Sequence, residues 1–154
     1  MKVNYYKDET IKENHIDVFY QTINPEVSGI IDYLSTYDMI LGKKDTVTKK
    51  IFPSEIYYLE IVERRCYAYL EHEVYQIDYN LKSFMDCFCG KGFLQIGKSI
   101  LVNAYKLDKI KTDLNMKMRL FMSNGEILIL NRSYKKSFME YLKKLQEVAD
   151  ETIE

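Results

Sequence analysis

Three short basic stretches hold the side chains in this sequence best suited to gripping a polyanion: Arg64-Arg65, Lys98-Ser99 and Arg132-Ser133. A guanidinium can meet a guanine edge with two parallel hydrogen bonds, whereas an ammonium or a hydroxyl serves phosphate oxygens well. Arg132 and Ser133 stand where a helical pattern begins, and a helix start adds amide donors and a favourable dipole for phosphate. Taken singly, each stretch also reads as an ordinary solvated turn. Other chemistry is poorly served. The sequence has no phosphate-cradling Gly loop, no Cys–His nucleophile pair in a recognisable context and no carboxylate cluster with metal spacing, so an enzyme is not expected. Cys87-x-Cys89 is too closely spaced for a usual zinc knuckle, and His15 and His72 have no nearby ligand partner. Neither a metal, a cofactor nor a small-molecule substrate is expected.

Charge is distributed to match. The 154 residues carry a net charge of −1, but residues 1–40 hold three Lys against seven Asp and Glu, a net of −4. Residues 91–146 hold ten Lys and two Arg against four acids, a net of +8. A basic back half suits a polyanionic partner, although charge alone fits a solvated helix face and ordinary surface lysines better. Hydrophobic residues at 47% and charged residues at 29% describe a folded globular chain. No apolar run approaches the roughly 20 residues needed to cross a bilayer. Met1–Lys7 lacks the apolar region of a signal peptide, and three Cys form an odd, reduced set, so a cytoplasmic protein is expected.

Residue spacing supplies the framework that carries the basic stretches. Lys2–Tyr6 and His15–Gln21 read as strands, and Asn24-Pro25 caps and opens a helix whose Val27, Ile30, Ile31 and Leu34 share one face. This makes a small N-terminal ββα extension over residues 1–45, suited to dimerisation or to a regulatory protein partner. Met39–Leu41 and Thr46–Thr48 are short strands joined by a Gly42–Asp45 turn, and Pro53–Glu55 allows one helical turn. Ile56–Val62 and Cys66–Glu71 form a hairpin with Glu63-Arg64-Arg65 at its tip, and Val74–Ile77 adds a strand. Leu81, Phe84, Met85 and Phe88 line a short helix capped near Asn80. Tyr105–Ile110 turns and re-enters the sheet. Met116–Met122 and Ile127–Leu130 flank Asn124-Gly125, a strong hairpin signal. From Asn131 the period becomes helical through Tyr134, Phe138, Tyr141, Leu142, Leu145 and Val148. The fold class is mostly β (α+β).

Between these elements lies Gly90–Ile110, an apolar run interrupted at Gly97-Lys98-Ser99. Within it Gly92-Phe93, Ser99 and Val102-Asn103 resemble the signature of LytTR DNA-binding domains. Ile56–Glu60 resembles the family's first core strand, and Asn124–Glu126 with Asn131–Tyr134 resembles its last hairpin and the start of its closing helix. The resemblance implies a compact LytTR-like multi-sheet β module over residues 46–148, with a short helix and a C-terminal helix. It implies sequence-specific binding of double-stranded DNA by a transcriptional regulator, with loops between strands entering successive major grooves. By position it places Arg64, with Arg65, in the first contacting loop, Lys98 just before the signature Ser99, and Arg132 with Ser133 before the final helix. Asn103 matches a family Asn read as structural. Gln95 stands where many members have Arg, Gly97 where a polar residue or His is frequent, and Asn131 where Ser is usual. Residues 1–45 are too short for a receiver domain, so the chain resembles the standalone regulators, and a homodimer is expected. The alternative is a protein-interaction module whose basic face binds an acidic partner or a membrane surface.

Overall fold

Alternating burial is clearest over Arg65–Tyr69 and Met118–Met122. Residues 1–12, 14–36 and 38–152, which the computed structural model describes, form ten strands, three α-helices and three 3-10 turns. They fall into two units, Met1–Tyr37 and Asp38–Glu154.

The first unit contains one helix, α1 (Pro25–Thr36). Its start is built as the sequence dictates: Asn24 Oδ1 accepts the Val27 N–H at 2.9 Å, and Pro25 takes the first helical position. Val27, Ile30, Ile31 and Leu34 are all half-buried. The strands expected at Lys2–Tyr6 and His15–Gln21 do not form. A strand needs a hydrogen-bonded neighbour, and neither segment pairs with another among the described residues, which leaves Tyr5, Ile16 and Phe19 exposed. Alternation supplied the pattern without the partner.

The second unit opens with a hairpin of β1 (Ile40–Lys44) and β2 (Val47–Ile51). Gly42 lies within β1, opposite Lys49, rather than in the turn, and a Cβ there would stand 2.4 Å from Ile51 Cδ1 and 2.8 Å from Tyr75 Cβ. An expected division between residues 45 and 46 would cut this hairpin; the units part earlier, after residue 37. The 3-10 turn Pro53–Glu55 comes next, then β3 (Tyr58–Val62), β4 (Arg65–Tyr69) and β5 (Val74–Ile77). Helix α2 (Leu81–Cys87) is capped by Asn80, whose side chain accepts the Ser83 N–H at 2.8 Å. The chain continues through β6 (Phe93–Gly97), β7 (Ile100–Asn103), β8 (Leu107–Thr112), β9 (Met118–Met122) and β10 (Ile127–Leu130). A 3-10 turn, Arg132–Tyr134, leads into α3 (Lys135–Thr152).

Seven strands form one antiparallel sheet in the order β2-β1-β5-β4-β3-β7-β6, and three form a second in the order β10-β9-β8. The segment after residue 104 does not re-enter the first sheet. β7 already has β3 on one side and β6 on the other, so no free edge remains beside it. The 3-10 turn Ala104–Lys106 carries the chain off to found the second sheet.

Each face of the large sheet buries its own core. On one face Phe84 and Phe88 of α2 pack with Phe93, Leu59, Leu101, Ile51 and Ile56, the Phe84 and Phe93 rings meeting edge to face at 4.9 Å. On the other, Tyr57, Tyr58, Ile96 and Val102 meet Met118, Leu120, Met122 and Leu130 of the small sheet and Phe138 of α3. Tyr134, Tyr141, Leu142 and Leu145 line the half-buried side of α3; the side chain of Val148 lies outside the described residues.

Cys66 sits in the first of these cores, where burial pushes its thiol up to about 11, while Cys87 and Cys89 are exposed. A disulfide reagent at pH 8 should therefore label two thiols at once and the third only as the domain unfolds. The buried neutral thiol contributes stability that is complete below its ordinary value of 9.0 and lost as pH rises through about 11. Alkaline urea titrations of Cys66→Ala should show a shallower decline over that window, with buried Tyr58 and half-buried Tyr69, also raised, carrying the remainder.

Candidate nucleic-acid interface

The first basic tip closes the β3–β4 hairpin. Pairing runs unbroken from Tyr58 with Tyr69 to Val62 with Arg65, leaving only Glu63 and Arg64 to turn the chain. Both lie in left-handed backbone, at φ +49° and +66°, the geometry that matches the twist of a two-residue hairpin. Side chains other than glycine pay roughly 1–2 kcal/mol each for that conformation. The ladder holds Arg64 there nonetheless, exposed to solvent. Arg65 is not at the tip, as the sequence suggested; it opens β4 and is exposed opposite Val62.

The second tip, Lys98-Ser99, closes the β6–β7 hairpin, whose register shifts between Gln95 and Gly97. Gln95, where an Arg is frequent in the resembled family, donates from Nε2 to the Lys98 carbonyl at 3.4 Å and braces the turn. The Ser99 carbonyl accepts the Ile61 N–H at 2.8 Å, which ties this tip to the strand carrying the first. At the root of the same hairpin, Gly92 has φ +92°, and a Cβ there would lie 2.5 Å from the Tyr105 ring. Asn103 is 1% exposed. Its Nδ2 donates to the Ile56 carbonyl at 2.8 Å and its Oδ1 accepts the Tyr105 N–H at 3.0 Å, so it is a structural residue that fixes the turn after β7.

The third tip comes directly after β10. The Asn131 N–H donates to the Ile96 carbonyl at 2.8 Å, docking the start of the closing helix onto β6. Asn131 caps as Ser would: its Oδ1 accepts the Ser133 N–H at 3.0 Å. The Tyr134 and Lys135 amides donate to the Asn131 and Arg132 carbonyls. The Ser133, Tyr134 and Lys135 amides, expected to be open to a phosphate, are therefore already occupied, while the Arg132 and Ser133 side chains are exposed.

Topology gathers all three tips. β3 runs toward Arg64, β7 starts beside it from Lys98-Ser99, and Asn131 locks Arg132 to the adjoining end of β6. The turn Asp113–Lys117, which sequence reasoning passed over, also lies at this end, because β8 ends and β9 begins opposite Leu130. The opposite end is closed by protein contacts, Asn124 Nδ2 to the Glu71 carbonyl at 3.1 Å and the Ser123 N–H to the Lys106 carbonyl at 2.8 Å. Among the described residues no acid pairs with Arg64, Arg65, Lys98 or Arg132. Lys106 and Lys109 are different, lying 5.2 Å from the Tyr57 and Phe121 ring centres.

An antiparallel domain that displays unpaired cations on turns at one end has the form of a polyanion-binding module. The chain belongs to the LytTr DNA-binding domain family, which matches residues 46–143. Its fold resembles the LytTr DNA-binding domain of a Bacillus cereus protein described as a methyl-accepting/DNA response regulator. The TM-score is 0.64 at 24% identity, over 68% of this chain and 96% of that one. It is 23% identical over 145 residues to an HTH-type transcriptional regulator of Staphylococcus aureus, spanning 92% of this chain and 98% of the relative. A 26% identity over 92 residues links it to the sensory transduction protein LytT of Enterococcus faecalis, covering 60% of this chain and 38% of that protein. This is a family of DNA-binding regulatory domains, not of enzymes. Among the described residues no helix is long and apolar enough to cross a membrane.

Two substitutions separate support from contact. Asn103→Ala strands the Ile56 carbonyl and the Tyr105 amide and should cost about 2–3 kcal/mol in urea unfolding. Arg64→Gly removes the left-handed penalty and should raise stability by up to about 1 kcal/mol, so a measured loss would contradict the strain assigned to this turn.

Proposed function

We propose that this chain regulates transcription by binding specific double-stranded DNA, placing its turns in successive major grooves. The observation that carries the reading is the collection of unpaired Arg64, Lys98 and Arg132 at one end of a domain in a DNA-binding family. Arg64 and Arg132 read base edges, since a guanidinium can hold guanine O6 and N7 together. Lys98, Ser99, Ser133 and Arg65 hold phosphates and set the orientation of the domain on the duplex. The name of the Staphylococcus relative speaks of an HTH type, yet the proposed contacts here lie on turns that join or succeed strands.

The chain acts as a homodimer on two half-sites. Val27, Ile30 and Ile31 of α1, with exposed Ile16 and Val18, offer apolar surface in the acidic first unit for self-association or for a regulatory protein. The competing reading, a basic face that binds an acidic protein or a membrane surface, draws on the same charges but requires no base preference.

Selection of bound duplexes from a random pool tests the proposal. A paired motif at regular spacing is expected, with binding that survives excess nonspecific duplex. On that motif Arg64→Ala or Arg132→Ala should each cost about 1–3 kcal/mol and relax preference at a few positions. Lys98→Ala should weaken all duplexes alike and lower the salt slope by roughly one. Folded Arg64→Ala and Arg132→Ala proteins that bind at full strength would end the assignment. Light scattering of the saturated complex should give two chains per duplex, and one chain would remove the dimer.

A further inference from the structure

The turn between β8 and β9 is built more firmly than a strand connection requires. Asp113 Oδ1 accepts the Asn115 and Lys117 N–H groups at 3.1 and 3.0 Å. The Asp113 N–H donates to the Lys117 carbonyl at 3.0 Å, and the Met116 N–H returns to the Asp113 carbonyl at 3.0 Å. Asp113 Oδ2 faces Arg119 Nε at 3.6 Å, and Met116 is held in left-handed backbone at φ +62°. On this fixed turn Leu114 is 102% exposed, with Lys111 and Lys117 exposed on either side.

Its place in the fold gives that leucine a use. Thr112 lies opposite Met118, and Met118 opposite Leu130, after which Asn131 is tied to Ile96 beside the Lys98-Ser99 tip. The turn is two strands across the small sheet from Arg132, roughly 10 Å at ordinary strand spacing. The residues of the three tips are charged or hydroxyl-bearing, and in a major groove the apolar feature to be read is the 5-methyl group of thymine.

Resting on the DNA-binding reading, we propose that Leu114 packs against a thymine methyl at the flank of the bound site and selects a T·A pair there. Lys117 holds an adjacent phosphate.

Uracil scanning tests this, because replacing thymine by uracil removes the methyl and leaves the pairing unchanged. Each thymine of the selected duplex is exchanged in turn, and affinities are measured for the wild-type chain, Leu114→Ala and Arg64→Ala. At one or two positions uracil should weaken the wild type about fourfold, the worth of one buried methyl, and leave Leu114→Ala unaffected. Arg64→Ala should keep that uracil penalty while losing affinity elsewhere. Thermal unfolding of Leu114→Ala should match the wild type, since the side chain is fully exposed. Equal uracil penalties in the wild type and Leu114→Ala, or a selected site with no thymine whose exchange matters, would overturn the contact. Failure of the DNA-binding reading would look different, as a random pool from which no duplex is enriched against excess nonspecific competitor.

Discussion

The domain depends on one buried amide. Asn103 holds the Ile56 carbonyl ahead of β3 with its nitrogen and the Tyr105 amide beyond β7 with its oxygen. Burying an amide is tolerable only when both ends are satisfied, and here both are. The effect is to fix where the chain leaves the large sheet. β7 is flanked on both sides, and the strands after it build a second sheet with its share of the core. Gly92 permits this junction by making room for the Tyr105 ring.

A second lock converts the fold into a site. The small sheet is positioned by packing on Tyr57, Tyr58, Ile96 and Val102, but packing alone leaves direction loose. The Asn131-to-Ile96 hydrogen bond supplies direction, and the Ile61-to-Ser99 hydrogen bond aligns the neighbouring hairpins. Three turns far apart in sequence thereby share one end of the domain. The strain at Arg64 lies at one of these turns, where the hairpin holds an arginine in backbone that glycine would adopt at lower cost.

Much of this was legible in the sequence, for reasons that differ by element. Local signals carried α1, α2 and the β9–β10 hairpin, because Asn24, Asn80 and Asn124-Gly125 act on neighbouring backbone. The hairpin around Lys98 was legible through the order of Gly92, Phe93, Ser99, Val102 and Asn103. Non-local features were hidden. Alternation at His15–Gln21 gave no hint that a pairing partner was missing. Tyr105–Ile110 carried no mark that β7 was already paired on both sides. The donors at the Arg132 helix start looked free only because the capping role of Asn131 requires coordinates to see. The Asp113–Lys117 turn was passed over because an exposed leucine between polar residues has no signature until its end of the domain is known.

If these turns read bases in adjoining major grooves, dimethyl sulfate interference on the selected duplex should register them directly. The reagent methylates guanine N7 in the major groove and adenine N3 in the minor groove. Interference is expected at guanines clustered in neighbouring major grooves, about 10 base pairs apart, with one cluster lost in Arg64→Ala and the other in Arg132→Ala. Interference confined to adenines, or guanine clusters unchanged in both variants, would contradict major-groove reading by these turns.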